Sequence, residues 1–169
     1  MVSIRPSPQT NIVSSEDDLI PFYNFLQFKK YNEKTLLDVI EQHHYFSDFK
    51  QIIKKANMEY ILDYGGNNFT LFVPINSDEF SRLHNNIDIG LARQIVKNVM
   101  INRKIPSELL KDSSSCDFVT NDPLNKLYVQ IIDNELYINN HSKIIRTDII
   151  ATNGIIHVVD KIIWPVFLS

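Results

Sequence analysis

The amino-acid sequence predicts an α+β fold in a single domain. Apolar residues at helical spacing fill the first half of the chain, short period-two segments fill the second half, and there is no internal repeat. Helices and strands that are segregated in this way favour α+β over an alternating parallel α/β sheet. The length of 169 residues agrees with one core, since single domains usually hold about 100–200 residues.

Helix-capping residues predict where the first elements begin. Thr35, with Asp38 three residues later, can cap the first turn of a helix. Further helices are expected from Ser47 to about Ala56, around Met58 to Leu62, and at SELLK after Pro106. Gly65-Gly66 should end the third of them in the left-handed conformation. Asp88 can cap another helix, with its buried side formed by Ile89, Leu91, Ala92, Ile95 and Val96.

Strands are predicted from β-branched and aromatic runs. FTLFV, residues 69–73, is one such run, and Pro74 stops it. From Cys116 onward the strands are CDFVT, LYVQII, ELYIN, KIIRTDII and GIIHVVDKII, with a hairpin turn at Asp133-Asn134.

Composition excludes several functional classes. Hydrophobic residues make up 44% and charged residues 22% of the chain, so disorder throughout is not expected. The formal net charge of -3 argues against a dedicated nucleic-acid binder. The single cysteine, Cys116, excludes an intramolecular disulfide framework and a zinc site built mainly from thiolates. We interpret it as a small strand-edge residue.

The sequence predicts neither a leader nor a transmembrane segment. Residues 1–18 lack the apolar run of a signal peptide, and no stretch approaches the roughly 18 apolar residues of a spanning helix. As written, the chain is expected to be intracellular or virion-associated, and it would be extracellular if a leader is missing. Frequent Ile and Asn hint at AT-rich coding, as in some large DNA viruses. Two glycosylation sequons, at Asn68 and Asn140, matter only in a secretory compartment.

Residues 1–33 are predicted to be a flexible lead-in that carries an aromatic segment, LIPFYNFLQFKKY at positions 19–31. This segment is interpreted as a short helix or turn that packs on the domain. The alternative is an exposed contact patch for a partner or a membrane surface, with Phe22, Phe25 and Phe28 as its anchors. The domain itself is expected at residues 34–165, followed by a short tail at 166–169.

Two segments carry a family resemblance. FTLFVPINSDEF, residues 69–80, and RTDIIATNGIIHVVDKIIWP, residues 146–165, resemble the two signature boxes of the fasciclin-like domain. TLLDVIEQHHYFSDFKQIIKKANM resembles its opening helices, and IPSELLKD resembles its short middle helix. The resemblance implies a fasciclin-like wedge of mixed β-strands flanked by short helices, with no cofactor. It also implies a role in adhesion or protein–protein contact.

The box residues have structural explanations of their own. Asn153-Gly154 should form a tight turn, because Gly tolerates positive φ and the Asn side chain can bond nearby backbone. The following strand, with His157 inside it and Asp160 at its end, is expected to be buried. His157 is either a ligand or pH sensor, or a core histidine with satisfied hydrogen bonds, and we favour the second interpretation. In the first box, Thr70 and Asn76 should bond backbone or loops, and Phe80 should anchor the turn after Pro74 to the core.

The resemblance also implies a partner-binding pair, Asp148-Ile149, since family members often use Asp-Ile before the second box in integrin recognition. The adjoining residues depart from the better-known versions. The alternative is that Ile149 is core and Asp148 is a local hydrogen bonder. A second departure is Asn98-Val99, which replaces the usual Tyr-His pair, with Asn102-Arg103 in place of the Pro-Gly turn after it. The internal hydrogen bond of that His must be lost or supplied otherwise.

The sequence lacks the common catalytic motifs. The sequence holds no GxSxG elbow, no phosphate-cradling glycine loop and no HExxH. We therefore expect no enzyme, no metal and no cofactor. The leading hypothesis is a non-enzymatic adhesion or binding module with a protein partner, for which a cell-surface receptor is one candidate. The alternatives are an intracellular or virion-associated structural protein and a carrier of small apolar ligands.

Overall fold

The computed structural model describes residues 34–83, 85–112, 115–122 and 125–165, without the side chains of Ser115 and Cys116. Its architecture is a mixed sheet of seven strands flanked by short helices, which confirms the predicted α+β class. Predictions for the lead-in and its aromatic residues Phe22, Phe25 and Phe28, for the tail at 166–169 and for the Cys116 side chain lie outside the described residues.

Six short α-helices and one 3₁₀ turn are described. The helices are α1 Leu36–Gln42, α2 Ser47–Lys55, α3 Glu59–Asp63, α4 Asp78–Leu83, α5 Ile89–Lys97 and α6 Ser107–Leu110, and the 3₁₀ turn is His44–Phe46. The predicted caps of α1 and α5 are confirmed. The Thr35 hydroxyl accepts a bond from the Asp38 amide at 3.2 Å, and the Asp88 carboxylate accepts one from the Leu91 amide at 2.8 Å. Each cap satisfies an amide that the first turn of a helix leaves unpaired.

The strands form one continuous sheet. They are β1 Phe69–Pro74, β2 Met100–Ile101, β3 Ser115–Val119, β4 Lys126–Ile132, β5 Glu135–Ile138, β6 Ser142–Ala151 and β7 Gly154–Val159, in the order β2-β1-β7-β6-β5-β4-β3. The β1–β7 pair is parallel, and the other pairs are antiparallel. Asp133 and Asn134 both take positive φ between β4 and β5, which confirms the predicted hairpin turn.

The core is centred on β1 and β7, whose described residues are buried from end to end. One fully buried set of side chains comes from the helices and includes Leu36, Phe49, Ile53 and Ile95. Burial on both faces explains why these two strands are continuous apolar runs instead of alternating ones.

Two local predictions about the helices were wrong. Ile89 is 46% exposed although it is on the same helix face as Ala92 and Val96, because it is the first residue of α5 and its side chain points back past the start of the helix. Gly65 and Gly66 do not close α3, which ends at Asp63 with Tyr64 in an extended conformation. Among the described glycines none has positive φ.

Candidate functional site

Segment 103–107, which links β2 to α6, is held against the sheet by side chains from three neighbouring strands. We call this segment the strap. On β1, the Thr70 hydroxyl donates to the Arg103 carbonyl at 2.7 Å and accepts from the Ile105 amide at 2.8 Å. On β7, the His157 Nε2 lies 2.8 Å from the Ile105 carbonyl oxygen.

The third contact comes from β6. The Asp148 carboxylate accepts one hydrogen bond from the Ser107 amide at 2.9 Å and a second, short one from the Ser107 hydroxyl. Three residues singled out in the sequence, Thr70, Asp148 and His157, therefore converge on one segment. They can do so because β1, β7 and β6 are adjacent in the sheet.

The sheet register explains why these side chains share a face. Thr70 pairs with Ile155, and His157 follows Ile155 by two positions on β7. Residues two apart on a strand point to the same side. Thr70 and His157 therefore both point toward the strap.

His157 is a fully buried histidine with both ring nitrogens in contact with the main chain. Its Nδ1 accepts a bond from the Asp148 amide at 3.2 Å, so the proton is on Nε2, which donates to the Ile105 carbonyl. Burial lowers its pKa, and the Ile105 carbonyl and the Asp148 charge counter this only in part. The ring also packs at 5.5 Å from the ring of Phe72. His157 thus has the contacts of a neutral core histidine.

Asp148 adopts a left-handed conformation, with φ of 63°, which Asp tolerates better than most residues. Burial acts to raise the pKa of its carboxyl group, but hydrogen bonds from Ser107 and Thr147 and the interaction with His157 outweigh burial and lower it. The neighbouring Ile149 is 1% exposed and pairs with Ile156. Asp148 and Ile149 therefore have the contacts expected of a local hydrogen bonder and a core residue. Their role in partner binding stays a prediction.

Ser107, Asp148 and His157 do not form a nucleophilic triad. The Ser107 hydroxyl donates to the Asp148 carboxylate and not to the imidazole, whose Nε2 is directed at a backbone carbonyl. A serine nucleophile needs a base that accepts its own proton. The trio fixes the strap on the sheet.

Asn153 joins three elements through its side chain. Its Oδ1 accepts a bond from the Leu36 amide at 2.8 Å, and its Nδ2 donates to the carbonyls of Leu62 at 2.9 Å and Tyr64 at 3.1 Å. These contacts satisfy the start of α1 and the end of α3. The side chain therefore caps α3 and makes a left-handed glycine unnecessary there, which corrects the prediction for Gly65-Gly66.

Gly154 follows the two-residue turn formed by Thr152 and Asn153 and begins β7. The sequence suggested that glycine is present to allow positive φ, and this is wrong, since its φ is not positive. Glycine is required here because the main chain of β1 approaches too closely for a side chain.

The remaining box residues also have structural contacts. Asn76 accepts a bond from the Asp48 amide at 2.9 Å and donates to the His44 carbonyl and the Ser47 hydroxyl, both at 2.8 Å. Phe80 is fully buried. Pro74 is the last residue of β1, and the Asp160 carboxylate accepts a bond from the Lys143 amide at 2.9 Å.

Sequence reasoning did not identify Ser107 or Asn98 as contact residues. Ser107 meets Asp148 across 41 positions of sequence, and no local pattern reports such a pairing. Asn98 is 1% exposed and donates to the Ile163 carbonyl at 3.2 Å. This bond supplies a buried polar contact at the position where the sequence departs from the Tyr-His pair. The signal available in the sequence was that Asn98 is a polar residue next to the apolar run VMI.

The surface beside the strap carries two exposed apolar side chains. Leu109 is 44% exposed and follows Ser107 by two positions, and Ile150 is 52% exposed and follows Asp148 by two positions. Leu109 and Ile150 thus lie close in sequence to two residues that contact each other, Ser107 and Asp148, and we refer to the two exposed side chains together as the strap surface. Of the two sequon asparagines, Asn68 and Asn140, both are exposed, and their glycosylation stays a prediction.

The described part of the chain shows neither a metal site nor a membrane-spanning helix. It contains no group of three or more His, Cys, Asp or Glu side chains arranged to hold a metal ion. In the same residues, no helix has both the length and the apolar character needed to span a bilayer.

Comparisons with known proteins agree with this fold. Stabilin-2 of Rattus norvegicus is 29% identical over 100 residues, which are 57% of this chain and 7% of that protein. Periostin of Homo sapiens is 27% identical over 146 residues, which are 83% of this chain and 17% of that protein. The chain thus spans less than a fifth of the length of these curated relatives.

A solved structure has a similar fold. It is a FAS1 domain pair from the insect cell adhesion molecule fasciclin I, which matches with a TM-score of 0.61 and 20% identity over 78% of this chain and 50% of that chain. The family model of the fasciclin domain matches residues 44–165, which is more than half of the sequence. The chain therefore belongs to the fasciclin domain family.

Proposed function

We propose that the chain acts as a non-enzymatic adhesion or protein-binding module, with the module formed by residues 34–165. The proposal rests on the hydrogen bonds that the polar residues of the two boxes make. Thr70, Asp148, Asn153 and His157 all bond to the main chain of other segments. Side chains bonded in this way hold the fold and are not positioned to act on a substrate. The module then works through its surface.

The relatives support a binding role. The solved structure that shares the fold comes from a molecule described as a cell adhesion molecule. The proposed partner of the present chain is a protein, with a cell-surface receptor as one candidate.

We place the contact on the strap surface. Leu109 and Ile150 are large apolar side chains exposed to solvent beside a rigidly bonded segment. Exposed apolar groups on a rigid support are typical of protein contact sites. In this arrangement Asp148 positions the surface through Ser107, and its own contact with the partner stays a prediction. The aromatic segment with Phe22, Phe25 and Phe28 is the second place where we expect contact.

Affinity capture tests the proposal. The full chain is immobilised, exposed separately to cell-surface and cytosolic extracts, and the captured proteins are identified. The purified partner is then titrated against Leu109→Asp and Ile150→Asp variants. The matched control is Ile89→Asp, since Ile89 is also an exposed apolar residue, at 46%, but lies on α5.

We expect at least about a tenfold loss of affinity for the two strap-surface variants, because a charge placed in an apolar contact must be desolvated, and less than about a twofold change for Ile89→Asp. Equal losses for all three variants would refute the strap surface as the contact. Failure to capture any protein from either extract would count against the binding-module proposal itself.

A further inference from the structure

Two exposed tyrosine side chains lie one helical turn apart at the end of α3. Tyr60 is 71% exposed and Tyr64 is 63% exposed. Tyr64 directly follows α3, and its φ of -80° is close to helical values. Its side chain therefore leaves the main chain on the helix face that carries Tyr60, four positions earlier. We call these two side chains the tyrosine surface.

Tyr64 is held in place by its surroundings. Its carbonyl accepts a hydrogen bond from Asn153 Nδ2 at 3.1 Å. Its ring packs against Gly66, because a Cβ atom built on that glycine would be 2.6 Å from Cε2 of Tyr64. The ring is thus supported from one side while most of the side chain faces solvent. An aromatic group that is already ordered loses little conformational entropy when another group covers it.

The end of α3 also lies beside the point at which the lead-in joins the domain. The Thr35 hydroxyl donates to the Asp63 carboxylate at 2.7 Å, and Tyr64 is the next residue after Asp63. The aromatic segment, residues 19–31, ends four positions before Thr35. Four Cα–Cα steps of about 3.8 Å keep Tyr31 within about 15 Å of Thr35. The chain itself therefore brings the end of the aromatic segment close to the tyrosine surface.

The composition of the aromatic segment suits this surface. Five of its thirteen residues are aromatic, and it contains two lysines and no acid. Helix α3 contains two acids, Glu59 and Asp63, and no basic residue. Because Lys54 and Lys55 precede α3 by only a few positions, the acids give a small preference, and packing between aromatic rings is the main attraction.

We propose that the aromatic segment docks on the tyrosine surface of its own chain, through Phe22, Phe25 and Phe28. A short tether gives the segment a local concentration of about a millimolar, so contacts too weak to hold a free peptide are sufficient. A second copy of the chain has no such advantage. The inference does not depend on the proposed function. It implies that a partner using the aromatic segment must first displace it from the tyrosine surface.

Modification by hydroxyl radicals, read by mass spectrometry, measures how well the tyrosine surface is covered in the full chain. The parent is compared with a variant that combines Phe22→Ser, Phe25→Ser and Phe28→Ser. We expect modification of the tyrosine surface to be at least about threefold faster in the variant, because the docked population is lost. Tyr128, which is 38% exposed on β4, is the internal control and should change by less than about twofold.

Trypsin tests the contact from the opposite side, because it cleaves after Lys29 and Lys30, which lie within the aromatic segment. Combining Tyr60→Ser with Tyr64→Ser should accelerate this cleavage about threefold to tenfold, since proteolysis follows the undocked population. Tyr128→Ser is the matched control, because it also replaces an exposed tyrosine, and it should change the rate by less than about twofold. This experiment leaves the aromatic segment itself intact.

Equal modification of the tyrosine surface in the parent and in the phenylalanine variant would overturn the inference. Cleavage that is insensitive to the substitutions at Tyr60 and Tyr64 would do the same. Both experiments are repeated over a range of protein concentrations. Protection that increases with concentration would assign the segment to a second copy, and protection that develops only with the captured partner would assign the tyrosine surface to that partner. Either result rejects docking within one chain.

Discussion

The carbonyl oxygen of Phe69 lies so close to Gly154 that no side chain fits at that position. A Cβ atom built on Gly154 would be 2.2 Å from that oxygen and 2.9 Å from Cδ1 of Leu36. Phe69 and Gly154 are partners in the parallel pairing of β1 with β7. The glycine thus allows the first box, the second box and α1 to meet at one point.

Gly154→Ala should therefore destabilise the fold strongly. We expect a loss of about 3 kcal/mol or more, because the methyl group meets backbone, which has little freedom to move. Gly65→Ala is the control, since a Cβ there would meet nothing within 4 Å, and its effect should stay within about 1 kcal/mol. Urea unfolding of both variants measures the difference. Similar stabilities for the two would contradict the close approach.

Substitution of Asn153 should lower the free energy of unfolding more than is usual for a polar residue. Asn153→Asp keeps the acceptor for the Leu36 amide but replaces the donor to Leu62 and Tyr64 with a carboxylate oxygen. We expect the Asp variant to lose about 2–4 kcal/mol, since two carbonyls lose their donor and an anion is placed beside them. Equilibrium unfolding near neutral pH measures this loss. A recovery of stability at low pH, where the carboxyl group is protonated, would support the assignment.

Local chemistry made much of the fold predictable. The Thr35 and Asp88 caps, the Asp133-Asn134 hairpin and the run of strands after Cys116 depend on neighbours within a few residues. The short edge strand Met100–Ile101 was not identified from its residue pattern, because two residues carry no periodicity and the strand exists through its pairing with β1.

The candidate site was predicted as separate residues and not as an arrangement. Thr70, Asp148 and His157 were singled out, but the strap that unites them depends on a sheet order that brings β1, β7 and β6 together. The prediction of how α3 ends at Asp63 was wrong for the same reason. The residue that caps this end, Asn153, lies 91 positions from Leu62. Contacts across such separations are tertiary and leave no local signal.

Asp148 and Ser107 should act as one unit in stability measurements. Asn tolerates the left-handed backbone as Asp does, so Asp148→Asn mainly weakens the charged hydrogen bonds to Ser107. Ser107→Ala removes the bond from the hydroxyl. Each variant should lose about 1–2 kcal/mol, and the double variant should lose clearly less than the sum. Thermal and urea unfolding of the four proteins complete the cycle. Additive losses would show that the two residues are not coupled.

The fold should weaken as pH falls from neutral toward about 5. Burial lowers the pKa of His43 from 6.5 to about 3, with smaller contributions from His44 and Lys34, and burial also lowers the pKa of His157. In the unfolded chain both histidines titrate near the ordinary value of about 6.5. Below that pH the unfolded state binds protons that the folded state does not, so stability is fully present above about pH 6.5 and declines below it.

His43 provides the test of this pH dependence. Each histidine of this kind contributes up to about 1.4 kcal/mol of lost stability per pH unit. Urea unfolding of the parent chain and of His43→Gln, measured at several pH values between about 5 and 7.5, compares the two slopes. This range stays above the region where carboxylates titrate. We expect a clearly shallower dependence of stability on pH for the variant, because glutamine lacks the imidazole that takes up a proton only in the unfolded chain. Parallel slopes would show that the pKa of His43 is not lowered in the folded chain.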